Sequence, residues 1–122
     1  MNTLIIEDDI TVRNFIVTTL EEAGHTVLEA ENGLKGMELL RKHTDTDLVI
    51  TEIIMPEKEG IETIRDIRKQ YPAMTIIAIS GGGKLGPENY LELAETLGAN
   101  TTLKKPFKGS ALLNTIAMLQ NL

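Results

Sequence analysis

Cysteine and tryptophan are both absent from the 122 residues, and aromatic side chains make up only 3% of them. Without cysteine there is no disulfide framework, no thiolate nucleophile and no Cys-ligated metal. So few aromatics leave little with which to wall a flavin ring. Basic residues are outnumbered, 12 against 18 acidic, for a net charge of −6. That balance argues against nucleic acid as a partner, because phosphate-backbone binding needs clustered Lys and Arg to displace counterions. Long apolar runs are missing too, and none approaches the length of a membrane span. The start passes from Met1 through Leu4, Ile5 and Ile6 straight into acid, too short an apolar stretch for a signal peptide. A cytoplasmic location away from membranes is therefore expected.

What is present alternates between two kinds of segment. Short apolar, β-prone runs occupy 4–6, 26–28, 48–51, 74–79 and 101–103. Between them the apolar residues step by three and four, as one face of a helix requires. Val12, Phe15, Ile16, Leu20 and Ala23 form the first such stripe, with Gly24 as its stop. Asn32 and Gly33 open a second, carrying Leu34, Met37 and Leu40, and Ile61, Ile64 and Ile67 mark a third. Pro87 suits the first turn of a fourth, which Gly98 ends, and Leu112, Ile116 and Leu119 stripe the last. Five strands alternating with five helices predict one α/β domain over 1–122. Its sheet should be parallel, flavodoxin-like in order 2-1-3-4-5, with helices on both faces. With no second domain in view, any output is expected to pass through this domain's own surface.

In such a sheet the site lies beyond the carboxyl ends of the strands. Those ends carry Glu7, Asp8 and Asp9 after the first strand, Glu52 on the third, Ser80 on the fourth, and Lys104 and Lys105 on the fifth. Crowded carboxylates call for a cation, and Mg²⁺ suits oxygen ligands while keeping water and phosphate oxygens in its other positions. A lysine and a hydroxyl then supply the charge and donor that a phosphoryl group needs. Each residue also has a plainer reading. The acids suit an N-cap cluster at the first helix, Lys105 a surface lysine and Ser80 a loop hydroxyl. Gly81 to Gly83 read as a flexible loop, since no lysine and hydroxyl follow at P-loop spacing. His25 and His43 read as a turn residue and an exposed residue. Convergence of four polar elements on four strand ends favours phosphoryl chemistry on a carboxylate.

Four stretches in order resemble the receiver domain of two-component response regulators: TLIIEDD at 3–9, DLVITEIIMPEKEG at 47–60, IIAIS at 76–80 and GA…KPF at 98–107. The resemblance implies a phosphorylation switch in which Asp8 ligates Mg²⁺, Glu7 holds the ion through water and Ile54 offers its backbone carbonyl. Ser80 would grip the phosphoryl group and Lys105 would pair with it. A sensor histidine kinase or phosphotransfer protein would donate that group. The receiver would assist only its own phosphorylation and hydrolysis, rather than acting as an enzyme on other substrates. A downstream protein would dock on the face made by the fourth helix, fifth strand and fifth helix. Two positions depart from the family pattern. Glu52 stands where an aspartate accepts the phosphoryl group, as an impaired or substituted acceptor or a mimic of the phosphorylated state. Thr102 stands where a Tyr or Phe is usual. Two alternatives remain: a phosphorylation-independent adaptor, and a small Mg²⁺-dependent aspartyl-phosphate phosphatase, which lacks its Asp-x-Asp motif here.

Overall fold

Alternation decides which side of the sheet each strand residue serves, because successive side chains point to opposite faces. The computed structural model describes residues 1–54, 60–81 and 87–121, with the backbone alone over 87–91. Five strands, β1 (Asn2–Ile6), β2 (Thr26–Ala30), β3 (Leu48–Glu52), β4 (Thr75–Ser80) and β5 (Thr101–Lys104), form one parallel sheet in the order β2-β1-β3-β4-β5. Between and after them lie α1 (Ile10–Glu22), α2 (Gly33–Lys42), α3 (Gly60–Gln70), α4 (Pro87–Leu97) and α5 (Gly109–Gln120). Class, strand order and helix count match the expectation from sequence. The segments holding Met55 to Glu59 and Gly82 to Gly86 fall outside the described residues, as do the side chains of Tyr90 and Leu91.

Leu4, Ile6, Val49, Ile53, Ile76 and Ala78 pack against α2, α3 and α4 through Met37, Leu40, Ile64, Ile67 and Ala94. Ile5, Leu48, Ile50, Ile77 and Ile79 face the other way, onto Ile16 and Leu20 of α1 and Leu112 and Ile116 of α5. Each fully buried Leu or Ile removes apolar surface worth about 1.5–3 kcal/mol. Covered on both faces, β1, β3 and β4 read as continuous apolar runs. The helices at the surface are less regular than their stripes suggest. Phe15 is 43% exposed and Leu34 58% exposed, since only part of each stripe reaches the sheet.

Local signals set the helix ends. Asp9 caps α1, its Oδ1 accepting from the amides of Thr11 (2.9 Å) and Val12 (3.2 Å), and Asn32 caps α2 through the Lys35 amide. Such a cap contributes about 1 kcal/mol. Gly24, at φ 91°, lets the chain leave α1 while the His25 amide returns to the Leu20 carbonyl. His25 also lies 3.0 Å from the N-terminal amine through Nδ1, and His43 is the exposed C-cap of α2.

Arg68, on α3, ties three segments that are distant in sequence. Its guanidinium donates to the carbonyls of Pro72 and Met74, to that of Gly98 twice, and to Asn100 Oδ1, all within 3.1 Å. Asn100 in turn accepts from the Ile76 amide at 2.8 Å. Removing the fork strands several half-buried carbonyls at once. Arg68→Met is therefore expected to lower the unfolding free energy by about 2 kcal/mol, from the usual worth of charge-assisted hydrogen bonds. Arg68→Lys should recover little, because one ammonium cannot span the fork. Urea denaturation checks this, and a midpoint unchanged in Arg68→Met would refute it.

Candidate functional site

Register brings the strand ends level: Ile6 pairs with Thr51, Glu52 with Ile79, and Ser80 with Lys104. The residues that follow therefore meet at one edge of the sheet. The three consecutive acids after β1 separate. Asp9 serves as the α1 cap, Asp8 is exposed at the rim, and Glu7 turns inward and is fully buried. Glu7 Oε2 accepts from the Asp9 amide at 3.2 Å, while its carbonyl accepts from Arg13 Nη1 at 2.8 Å. Glu52 ends β3 at 5% exposure, with the Ile54 amide 3.4 Å from its Oε1. Ser80 is fully buried at the end of β4, and its carbonyl accepts from the Lys105 amide at 3.0 Å.

Lys105 joins these parts. Its Nζ lies 2.7 Å from Glu7 Oε1 and 2.9 Å from Glu52 Oε2. Neither oxygen meets an aligned hydrogen bond among the described residues, so these contacts are ion pairs more than directional bonds. Two carboxylates thus share a single ammonium. Burial pushes the Glu7 carboxyl up to about 7 even though Lys105 pulls it the other way. Burial likewise raises Glu52, with Lys105 and the Ile54 amide opposing. Burial alone would lower Lys105, but the two carboxylates outweigh it and hold the ammonium above its ordinary value.

The direction of these shifts fixes a pH dependence. A carboxyl raised in the folded state keeps a proton that the unfolded chain has lost. Its stabilising effect is complete below its ordinary value near 4.5 and is lost as the pH rises through about 7. Without divalent ions, the unfolding free energy of the wild type relative to Glu7→Gln should fall from pH 4.5 to 8. The fall should be on the order of 2–3 kcal/mol. Urea titrations at constant ionic strength measure this, and a difference that rises with pH would refute the assignment.

The oxygen-only donor set, with two buried carboxylates and an exposed third, suits a hard dication that keeps most of its water. No group of three His, Cys, Asp or Glu side chains is disposed as a closed metal site among the described residues. The site brings together Glu7, Glu52 and Lys105, with Ser80, Asp8 and Ile54 at its border. Thr102 is half-buried opposite Ala78 of β4, and the Phe107 ring meets that of Phe15 in a tilted pair, centroids 6.2 Å apart.

Sequence reasoning gave two glycines no part in the site, reading Gly81 as loop and Gly60 as the close of the 47–60 stretch. Gly60 donates its amide to the Ile53 carbonyl at 2.7 Å, and Gly81 lies under the Lys105 side chain. No periodicity signals either role; only the placement of each glycine directly against a site-bearing segment does so.

A family model described as the response regulator receiver domain matches residues 3–117. The chain is 37% identical over 116 residues to a chemotaxis protein CheY homolog of Campylobacter jejuni, covering 92% of this chain and 86% of that one. It is 31% identical over 114 residues to chemotaxis protein CheY of Halobacterium salinarum, covering 93% and 92%. Among solved structures, a response regulator receiver domain protein of Clostridium thermocellum superposes with a TM-score of 0.89 at 31% identity, covering 98% of this chain and 94% of that one. Vibrio cholerae CheY4 superposes with a TM-score of 0.85 at 28% identity, covering 96% of each.

Proposed function

The chain belongs to the response-regulator receiver family of two-component signalling, and from that premise we propose that it is a phosphorelay switch whose acceptor position is held by Glu52. The observation that carries the reading is the lysine ion pair. Lys105 reaches past the end of β4 to meet the carboxylates of both β1 and β3, where a phosphoryl group on the β3 side chain would need a cation. Asp8, Glu52 and the Ile54 carbonyl, with Glu7 through water, are the residues that would hold Mg²⁺. When bound, the ion would neutralise charge on the transferring oxygens.

The chain's own residues account for the rest. A sensor histidine kinase or phosphotransfer protein supplies the phosphoryl group. Ser80 offers a hydroxyl to its oxygens and Lys105 an ammonium, while the sheet fixes both relative to Glu52. The chain assists its own transfer and hydrolysis and acts on no other substrate. Its output is a protein contact, which we place on the side formed by α4, β5 and α5, where α4 carries Leu93 at 44% exposure and β5 is half-buried. No helix among the described residues is long and apolar enough to cross a membrane.

A second reading, an adaptor independent of phosphorylation, draws support from the same ion pair. Glu52 already engages Lys105 at 2.9 Å without any added group. Phosphoryl uptake from acetyl phosphate, by the wild type and by Glu52→Asp, tests both readings. A short-lived acyl phosphate in Glu52→Asp supports the switch; an inert but folded and Mg²⁺-binding Glu52→Asp leaves the adaptor.

A further inference from the structure

Both backbone groups of Glu7 are held, although the strands that would hold them have ended. β1 stops at Ile6 and β2 at Ala30, and the Glu7 amide makes one more ladder bond, to the Ala30 carbonyl at 3.0 Å. In a parallel ladder the Glu7 carbonyl would next turn to the amide two residues beyond Ala30. That residue, Asn32, is the cap of α2. The carbonyl accepts instead from Arg13 Nη1, at 2.8 Å. Arg13 reaches it because helical side chains lean towards the N-terminus, which carries this one back over the turn between β1 and α1. Asp9 starts the helix at the right point, taking the Arg13 amide on its carbonyl at 2.9 Å. Glu29 of β2 aims the guanidinium, its Oε1 lying 3.2 Å from Nε. With the Glu29 side chain 46% exposed, that pair adds little energy and mostly sets direction.

We propose that Arg13 is a positioning residue for the divalent-cation site, holding the Glu7 backbone so that its carboxylate faces inward. The inference rests on the receiver reading for the part of Glu7 in holding the cation through water. Fixing the Glu7 carbonyl fixes the planar peptide that joins it to Asp8. The two side chains then leave in opposite senses, Glu7 into the buried site and Asp8 to the exposed rim. Arg13 acts through this backbone and supplies no ligand. Groups one step removed from a metal commonly change its affinity about 10–100-fold when lost.

A Mg²⁺ titration of the full chain at pH 8, following the backbone amide shifts of residues 52–54, is the test. Arg13→Met should weaken Mg²⁺ binding about tenfold. Arg13→Lys should weaken it severalfold, because one ammonium cannot reproduce two donors held at a fixed angle. Glu7→Gln should also weaken binding, and adding Arg13→Met to it should change little more. A merely structural tie between α1 and β2 would loosen binding equally in both backgrounds. Wild-type affinity in Arg13→Met overturns the proposal, as does an undiminished effect in the Glu7→Gln background. If Arg13→Met does not fold, Arg13→Lys decides, and wild-type affinity there overturns it. Failure on these counts leaves phosphoryl uptake by Glu52→Asp unaffected. An inert Glu52→Asp beside weakened, Glu7-dependent binding in Arg13→Met would sink the receiver reading and retain this one.

Discussion

Glu52→Asp, incubated with acetyl phosphate and Mg²⁺, is expected to take up one phosphoryl group per chain and lose it again by hydrolysis. The wild type should take up little or none. The case is geometric. Glutamate carries its carboxylate about 1.5 Å further out than aspartate. A displacement of about 1 Å in a positioned reacting group costs on the order of 100-fold in rate. In the wild type Oε2 lies 2.9 Å from Lys105 Nζ, so on the proposed reading Glu52 fills space beside the cation that an incoming phosphoryl group would require. Shortening the side chain withdraws the carboxylate and frees Lys105 for the phosphoryl oxygens, with Ser80 already at the end of β4. Phosphate stoichiometry by mass spectrometry at neutral pH gives the readout. Lys105→Ala in the same background should slow uptake, because the transferred oxygens lose their cation. Equal uptake by wild type and Glu52→Asp would mean that length at this position is immaterial and that the geometric account is wrong.

Gly60→Ala should cost stability on the order of 3 kcal/mol, even though alanine is the better helix former. Propensity favours alanine over glycine inside a helix by about 1 kcal/mol. Here the added methyl would stand 2.7 Å from the Ile53 carbonyl oxygen and closer still to the Ile53 Cα and the Glu52 carbonyl oxygen. All three neighbours are backbone, so no side chain can rotate away. Overpacking of this kind costs about 1–3 kcal/mol and occasionally more, and here it outweighs the propensity gain. Either the start of α3 lifts off or the end of β3 moves with Glu52 on it. Urea midpoints give the energy, and Mg²⁺ titration reports whether the site shifted; a midpoint at or above the wild type would refute the close-packing argument.

The central strands were legible because burial on both faces leaves them mostly apolar, with polar residues near their ends. Leu48 to Thr51 and Ile76 to Ile79 announce themselves for that reason. Edge strands announce themselves less: β2 runs on to Ala30, past the expected limit at 28, through an exposed Glu29 that a reading by apolar run discards. The ends of α1 and α4 were legible at Gly24 and Gly98, which adopt positive φ. The candidate site was legible as a set of strand ends, but the division of labour within 7–9 was not. Which acid turns inward depends on how β1 leaves the sheet, where the Glu7 amide still pairs with the Ala30 carbonyl. Gly81 read as a flexible loop because glycine's common use is conformational, whereas here a neighbour's side chain claims the missing methyl's space. Arg68 was not legible, since besides the nearby Pro72 and Met74 carbonyls its acceptors lie as far along the chain as Gly98 and Asn100.

The ion pair that unites Glu7 with Lys105 has a bearing on the order in which the protein comes into being. Its partners stand near opposite ends of the chain, and the lysine follows the last strand to join the sheet. Contacts so distant in sequence are late and entropically costly to close. During synthesis, which proceeds from the N-terminus, the first four strands can be made while Glu7 and Glu52 still lack the Lys105 ammonium. Until β5 docks, those carboxylates need water, a proton or another cation in place of the lysine. The site's charge balance thus serves as a completion mark, reached only when nearly the whole domain has been assembled.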